Sequence, residues 1–217
     1  MWVKICGIRD EATAEAITQL RPDAIGLNFY SRSPRCVERA VAVKIAERTA
    51  GRVQRIGLFV NHPVDEVVEL ANACDLDGVQ LHGDESPADI SAIDSQLNGR
   101  SLYRAWRMDG ASLLGLEEHL TACRAAGVML AGCLIDSRVA GTYGGTGHQV
   151  PWDDLARAYQ RDEWPPLILA GGLTAQNVAE ALGVVQPWGV DVASGVESSP
   201  AVKDLALVAR FIENARR

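Results

Sequence analysis

In this 217-residue chain the side chains able to do chemistry recur at one kind of place, the end of a short apolar run. Cys6 ends WVKIC, His82 ends GVQLH and Asp136 ends GCLID, while Gly171-Gly172 and Ser194-Gly195 follow PLILA and GVDVA. A thiol becomes a base or nucleophile once ionised, and a carboxyl kept from water retains a proton that it can donate. Consecutive small residues let backbone N–H groups close on an anion without a lysine, which is a common way of holding a phosphate. Arg35, in SRSPRC, is either a solvated loop charge or an anion clamp. Each residue also has a plainer reading: a lone Cys is often a small buried hydrophobe, an Asp caps loops, and glycines make tight turns. Their shared position at run ends favours a site.

What must position them is an alternation. Eight β-rich runs, at 2–6, 24–29, 55–60, 78–82, 102–106, 132–136, 166–171 and 189–194, are separated by segments with helical periodicity such as EATAEAITQL and VDEVVELANAC. Eight strands alternating with eight helices, without a break in composition, predict an α/β chain folded as one closed (β/α)8 TIM barrel over residues 1–217. A doubly wound open sheet fits less well, because the turn after the first run, Gly7-Ile8-Arg9, is not a G-x-G-x-x-G. In a barrel the strand ends and their loops share one mouth. Side chains alternate across a strand, so Lys4, Cys6, Gln80, His82, Leu134, Asp136, Asp191 and Ala193 face the axis, with Val3, Ile5, Val190 and Val192 turned to the helices. The first and eighth strands adjoin on closure, which brings Lys4 near Asp191; such a pair reads as structural, with the ability to tune its neighbours. Asp65, Ser86 and Thr174 stand where N-caps belong, and Pro63, Pro87 and Pro151 mark helix starts.

Composition narrows the classes further. Lys plus Arg at 21 against Asp plus Glu at 28 gives a net charge of −7, and the basic residues are scattered, which argues against a nucleic-acid binder. Five Cys with no C-x-x-C pair argue against a disulfide framework and for a reducing compartment. The opening MWVKICGIRDE is too charged for a secretory leader, and the longest apolar stretch, 125–135, has 11 residues, too few to span a bilayer. A cytoplasmic protein is expected, with a small phosphorylated molecule as its partner, no membrane, and a monomer or homodimer as its assembly. The histidines show no ligand spacing, so no metal is expected. The segment 137–151, with four Gly, has the composition of a mobile lid.

Several of these runs carry longer motifs. KICGIRD, GLNFYSRSPR, LFVN, VQLHGDE, LIDS, GGTG, LAGGLTAQNV and DVASGVE occur in that order, and the chain resembles the phosphoribosylanthranilate isomerases of tryptophan biosynthesis from Met1 to the last helix. The resemblance implies a cofactor-free Amadori rearrangement of N-(5-phosphoribosyl)anthranilate to 1-(2-carboxyphenylamino)-1-deoxyribulose 5-phosphate. It implies Cys6 as general base, Asp136 as general acid, and Arg35, His82 and Asp191 as substrate-binding residues. Gly171, Gly172, Ser194 and Gly195 would bind the phosphate. An ionisable thiol is wanted near neutral pH, and an inward Lys4 would help to supply it. Two departures from the pattern are Arg9, where Thr is common, and Cys36, where an aromatic or hydroxyl residue is usual; Cys36 would then be an oxidation-sensitive thiol near the mouth. Other phosphosugar barrels fit worse. An indole-glycerol-phosphate synthase wants Lys and Glu at several strand ends, and a pentose-phosphate epimerase wants metal ligands there. A flavin barrel would be coloured, and a non-catalytic binder leaves the pairing of Cys6 with Asp136 without a purpose.

Overall fold

The computed structural model describes residues 1–109, 112–137 and 150–217. Eight parallel strands, β1 (Trp2–Cys6), β2 (Ala24–Asn28), β3 (Gln54–Phe59), β4 (Gly78–Leu81), β5 (Ser101–Met108), β6 (Gly132–Ser137), β7 (Leu167–Leu169) and β8 (Gly189–Val192), close into a barrel in sequence order. Around it run α1 (Glu11–Gln19), α2 (Arg39–Thr49), α3 (Val64–Ala73), α4 (Pro87–Asp94), α5 (Leu116–Ala125), α6 (Trp152–Ala158), α7 (Val178–Val185) and α8 (Leu205–Arg216). The predicted (β/α)8 barrel is the observed architecture. Strands covered on both faces need apolar residues in near-continuous runs, which is why they stood out in the sequence. Among the described residues no helix is long and apolar enough to cross a membrane.

Two apolar layers do the holding. Val3, Ile5, Val190 and Val192 join the large cluster between strands and helices, as alternation required. Inside the barrel, Ala24, Ile56, Tyr103, Ala105, Leu134, Ile168 and Ala170 pack together, with Trp2 against them. Above this plug the interior turns polar, with Lys4, Gln80 and Asp191 buried. The buried polar groups Lys4, Gln80 and Asp191 thereby lie on the side of the plug toward the C-terminal end of the strands.

The helix starts hold one confirmation and two shifts. Ser86 caps α4 in a reciprocal box with Asp89, followed by Pro87. Pro63, not Asp65, is the N-cap of α3, and Asp65 lies inside the first turn, where its charge suits the dipole. Thr174 and Asn177 bond each other's backbone N–H one turn before α7 begins. A small hairpin, β9 (Glu197–Ser199) and β10 (Val202–Lys203), lies between β8 and α8.

Candidate active site

Cys6, Arg35, His82, Asp136, Gly171, Gly172, Asp191, Ser194 and Gly195 all line one cleft at the C-terminal mouth of the barrel. Cys6 is the last residue of β1, and Gly26 of β2 lies beside it in register. A methyl group on Gly26 would stand 2.6 Å from Cys6 Sγ and 3.1 Å from Lys4 Cε, so the bare backbone of β2 is where thiol and lysine stem meet. Lys4 pairs in register with Asp191, and its Nζ donates to Asp191 Oδ1 at 3.0 Å, both groups being buried. The expected ion pair is therefore formed.

Burial sets the proton positions. Desolvation pushes the Cys6 thiol above its ordinary value; Lys4 pulls it down and Asp191 pushes it further up. Lys4 alone therefore does not bring the thiol into the neutral range, because desolvation outweighs it. Desolvation also pushes Asp136 up to about 7, against a 2.8 Å hydrogen bond from Ser137 N–H and with Asp191 adding to the rise. Asp136 is thus largely protonated at slightly acid pH and half so near 7. His82 goes the other way. Burial, with Lys4 and Arg104 nearby, lowers it to about 3, so the ring is neutral. Gln80 Nε2 donates to His82 Nδ1 at 3.0 Å, which places the ring proton on Nε2. Among the described residues that nitrogen has no hydrogen-bond partner; it stands 3.7 Å from Asp136 Oδ2, too far for a bond, and the neutral ring forms no ion pair with it.

Arg35 is nearly buried and held from three sides. Its stem lies where a side chain on Gly7 would be: a Cβ there would sit 2.6 Å from Arg35 Cδ, and Gly7 has φ +83°, a conformation suited to glycine. Ser33 Oγ accepts its backbone N–H at 3.1 Å. Its Nε and Nη2 donate to Glu197 Oε1 and Oε2 at 2.7 and 2.8 Å. The side edge of the guanidinium is therefore spent within the protein, and among the described residues nothing takes Nη1 on its end edge.

The small-residue loops form a cradle of amides. Among the described residues no protein acceptor takes the N–H groups of Gly171 and Gly172, or of Ser194 and Gly195 at the head of the 3₁₀ turn Ser194–Val196. Asn177 Nδ2 donates to Gly172 O at 2.9 Å and fixes the first loop. A Cβ on Gly195 would lie 1.8 Å from Leu173 O, so the two loops touch backbone to backbone.

A buried thiol, a carboxyl protonated near neutrality, a guanidinium and an amide cradle on one barrel mouth suit acid–base work on an anionic sugar. The sequence profile of the N-(5'phosphoribosyl)anthranilate (PRA) isomerase family matches residues 3–214. The chain is 40% identical over 215 residues to N-(5'-phosphoribosyl)anthranilate isomerase of Geotalea daltonii, covering 99% of this chain and 96% of that one. The chain belongs to this isomerase family. Phosphoribosyl anthranilate isomerase of Thermotoga maritima superposes with a TM-score of 0.84 at 32% identity, over 99% of this chain and 98% of that one. A phosphoribosyl anthranilate isomerase in complex with reduced 1-(o-carboxyphenylamino)-1-deoxyribulose 5-phosphate superposes with a TM-score of 0.82 at 30% identity, over 99% and 97%.

Not every strand end of the isomerase belongs to its cleft. Asn61 is exposed and serves a turn, its N–H bonded to Glu85 and its Oδ1 accepting from Asp84 N–H. Arg107 pairs with Asp84. Cys36 is half-buried and does not line the cleft, and burial pushes its thiol up, which opposes the oxidation-sensitive role expected of it. Most of the expected lid lies outside the described residues. Asn28 and Ser33 do line the cleft, tied by a 3.2 Å bond from Asn28 Nδ2 to Ser33 Oγ. Glu197 and Lys203 were missed altogether, although Glu197 ends the DVASGVE motif.

Proposed function

We propose that this chain isomerises N-(5-phosphoribosyl)anthranilate with Asp136 as general acid and Cys6 as general base. Asp136 gives its proton to the furanose ring oxygen, the C1–O bond breaks, and the anilino nitrogen becomes a protonated imine at C1. The new positive charge beside Cys6 favours its thiolate, offsetting the desolvation that holds the thiol protonated. Cys6 then takes the C2 proton and the C–H electron pair forms the C1–C2 double bond of an enolamine. Loss of the C2 hydroxyl proton and gain of one proton at C1 give the aminoketose, so composition and oxidation level are unchanged.

The observation that carries this reading is the placing of a carboxyl that titrates near 7 in the same cleft as a buried thiol and an amide cradle. Phosphate on the Gly172, Ser194 and Gly195 amides anchors one end of the substrate. The anthranilate carboxylate meets the free end edge of Arg35, and His82 Nε2–H and Asp191 face the sugar between them. The test is the loss of anthranilate fluorescence from freshly generated substrate, with and without the protein; no protein-dependent loss would overturn the reading.

Arg35→Ala is expected to raise KM roughly tenfold to a hundredfold while lowering kcat much less, since a hydrogen bond to a charged group contributes about 1.5–3 kcal/mol of binding. Steady-state kinetics by the same fluorescence change check it, and an unchanged KM would remove Arg35 from the carboxylate site.

A further inference from the structure

Glu197 stands two residues past the Ser194-Gly195 pair, on β9, and its side chain is only 4% exposed. Besides the two bonds from Arg35, its Oε1 accepts from Lys203 Nζ at 2.8 Å and its Oε2 from Ala201 N–H at 3.1 Å. Lys203, on β10 and equally buried, also donates to Ala193 O at 2.8 Å, the residue just before the amide cradle. Burial pushes the Glu197 carboxyl up, but Arg35 and Lys203 together bring it down to about 2, so it is ionised at any working pH.

This is costly chemistry for a hairpin of five residues in its two strands. Buried ion clusters are weak contributors to stability, and apolar packing commonly serves as well. The cluster is also placed with a purpose in view: one carboxylate grips a guanidinium 162 positions earlier in the chain and, through Lys203, the carbonyl that opens the cradle. Two cations to one carboxylate leave this cluster with one positive charge in excess.

We propose that Glu197 is a positioning residue that fixes the distance between the end edge of Arg35 and the Ser194–Gly195 amides, so that the site selects substrates with two anionic groups at that spacing. The proposal rests on the reading of Arg35 and the cradle as the two anion-holding groups. Arg35 cannot retreat, because its stem is packed on Gly7, and it cannot advance, because both of its side-edge nitrogens are tied to Glu197.

The experiment is a double-variant cycle read by KM and kcat. Glu197→Gln is expected to raise KM roughly tenfold or more with kcat changed less than about threefold, as for loss of a charge-assisted bidentate contact. Competitive inhibition by inorganic phosphate, which needs the cradle alone, should change less than about threefold. In an Arg35→Ala background, Glu197→Gln should add less than about twofold to KM, because its effect acts through Arg35. Glu197→Asp keeps the charge, which makes it the variant to measure should Glu197→Gln fail to fold, and its KM should lie between wild type and Gln. A full additive effect in the double variant, or unchanged KM in both Glu197 variants while Arg35→Ala raises it, overturns the proposal. An unchanged KM in Arg35→Ala alone would instead overturn the reading beneath it.

Discussion

Asp136→Asn and Cys6→Ala should each cut kcat by about 10²–10⁴-fold, the range that a positioned general acid or base supplies. The fold should survive in both. Asp136 is a buried carboxyl whose charged form is penalised, with a native value of about 7 against an ordinary 3.8. A group raised in this way makes the native state bind more protons than the unfolded chain, so native stability falls as pH rises from about 4 to about 7. Asn carries no such penalty and keeps an oxygen for the Ser137 N–H. The Asn variant should therefore melt no lower than wild type at pH 8, and lost turnover will not be mistaken for lost structure. The pH profile adds a sign. The thiol lies above its ordinary value and the carboxyl near 7, so the productive form, thiolate with neutral carboxyl, is a minor one. Wild-type kcat/KM should fall below about pH 7, where both groups hold protons, and again above the thiol value, where neither does. In Asp136→Asn the lower limb should move upward, since only the thiol then titrates. Near-normal turnover in either variant sinks the assignment.

The second large effect comes from a methyl group. In Gly195→Ala the added carbon would fall 1.8 Å from Leu173 O. The obstacle is backbone, which cannot swing aside as a side-chain tip would, so the loops after β7 and β8 must part. Overpacking costs about 1–3 kcal/mol, which for a domain of this size lowers Tm by roughly 2–4 °C per kcal/mol. The functional loss should be larger. Amides that converge on one anion cease to do so, and each lost charge-assisted bond is worth roughly tenfold to a hundredfold in affinity. KM should rise by about that factor and inhibition by inorganic phosphate should weaken in parallel. Gly183→Ala is the control: it lies in α7 with nothing within 4 Å of the added carbon, and should be neutral or stabilising by about 0.5–1 kcal/mol. Wild-type KM and phosphate inhibition in Gly195→Ala would dismiss the cradle.

How much of this was legible in the sequence follows from the range of the forces involved. The strands were, because parallel strands buried on both faces have to be written in Val, Ile, Leu and Ala, and their observed ends differ from the expected ones by two residues at most. The facing of Lys4 and Asp191 was, because a two-residue period and barrel closure leave one arrangement. Glu197 was not, since its meaning depends on Arg35, 162 residues away, and by itself it reads as a solvated loop charge. The hairpin that carries it escaped because a strand of two residues, Val202–Lys203, has no period to detect. The level of the Cys6 thiol escaped too: alternation places Lys4 beside it, but only the packed barrel shows that desolvation outweighs the lysine.

Among the described residues the apolar plug of Ile56, Tyr103, Leu134 and Ile168 fills the barrel below the cleft, which leaves the mouth at the strand ends as its doorway. Traffic through it is one molecule at a time, and the ketose has to back out along the path by which the next aldose arrives. Because the departing molecule still carries the same two negative ends, it should compete for the seat it has just left, and prompt removal of the ketose should quicken turnover.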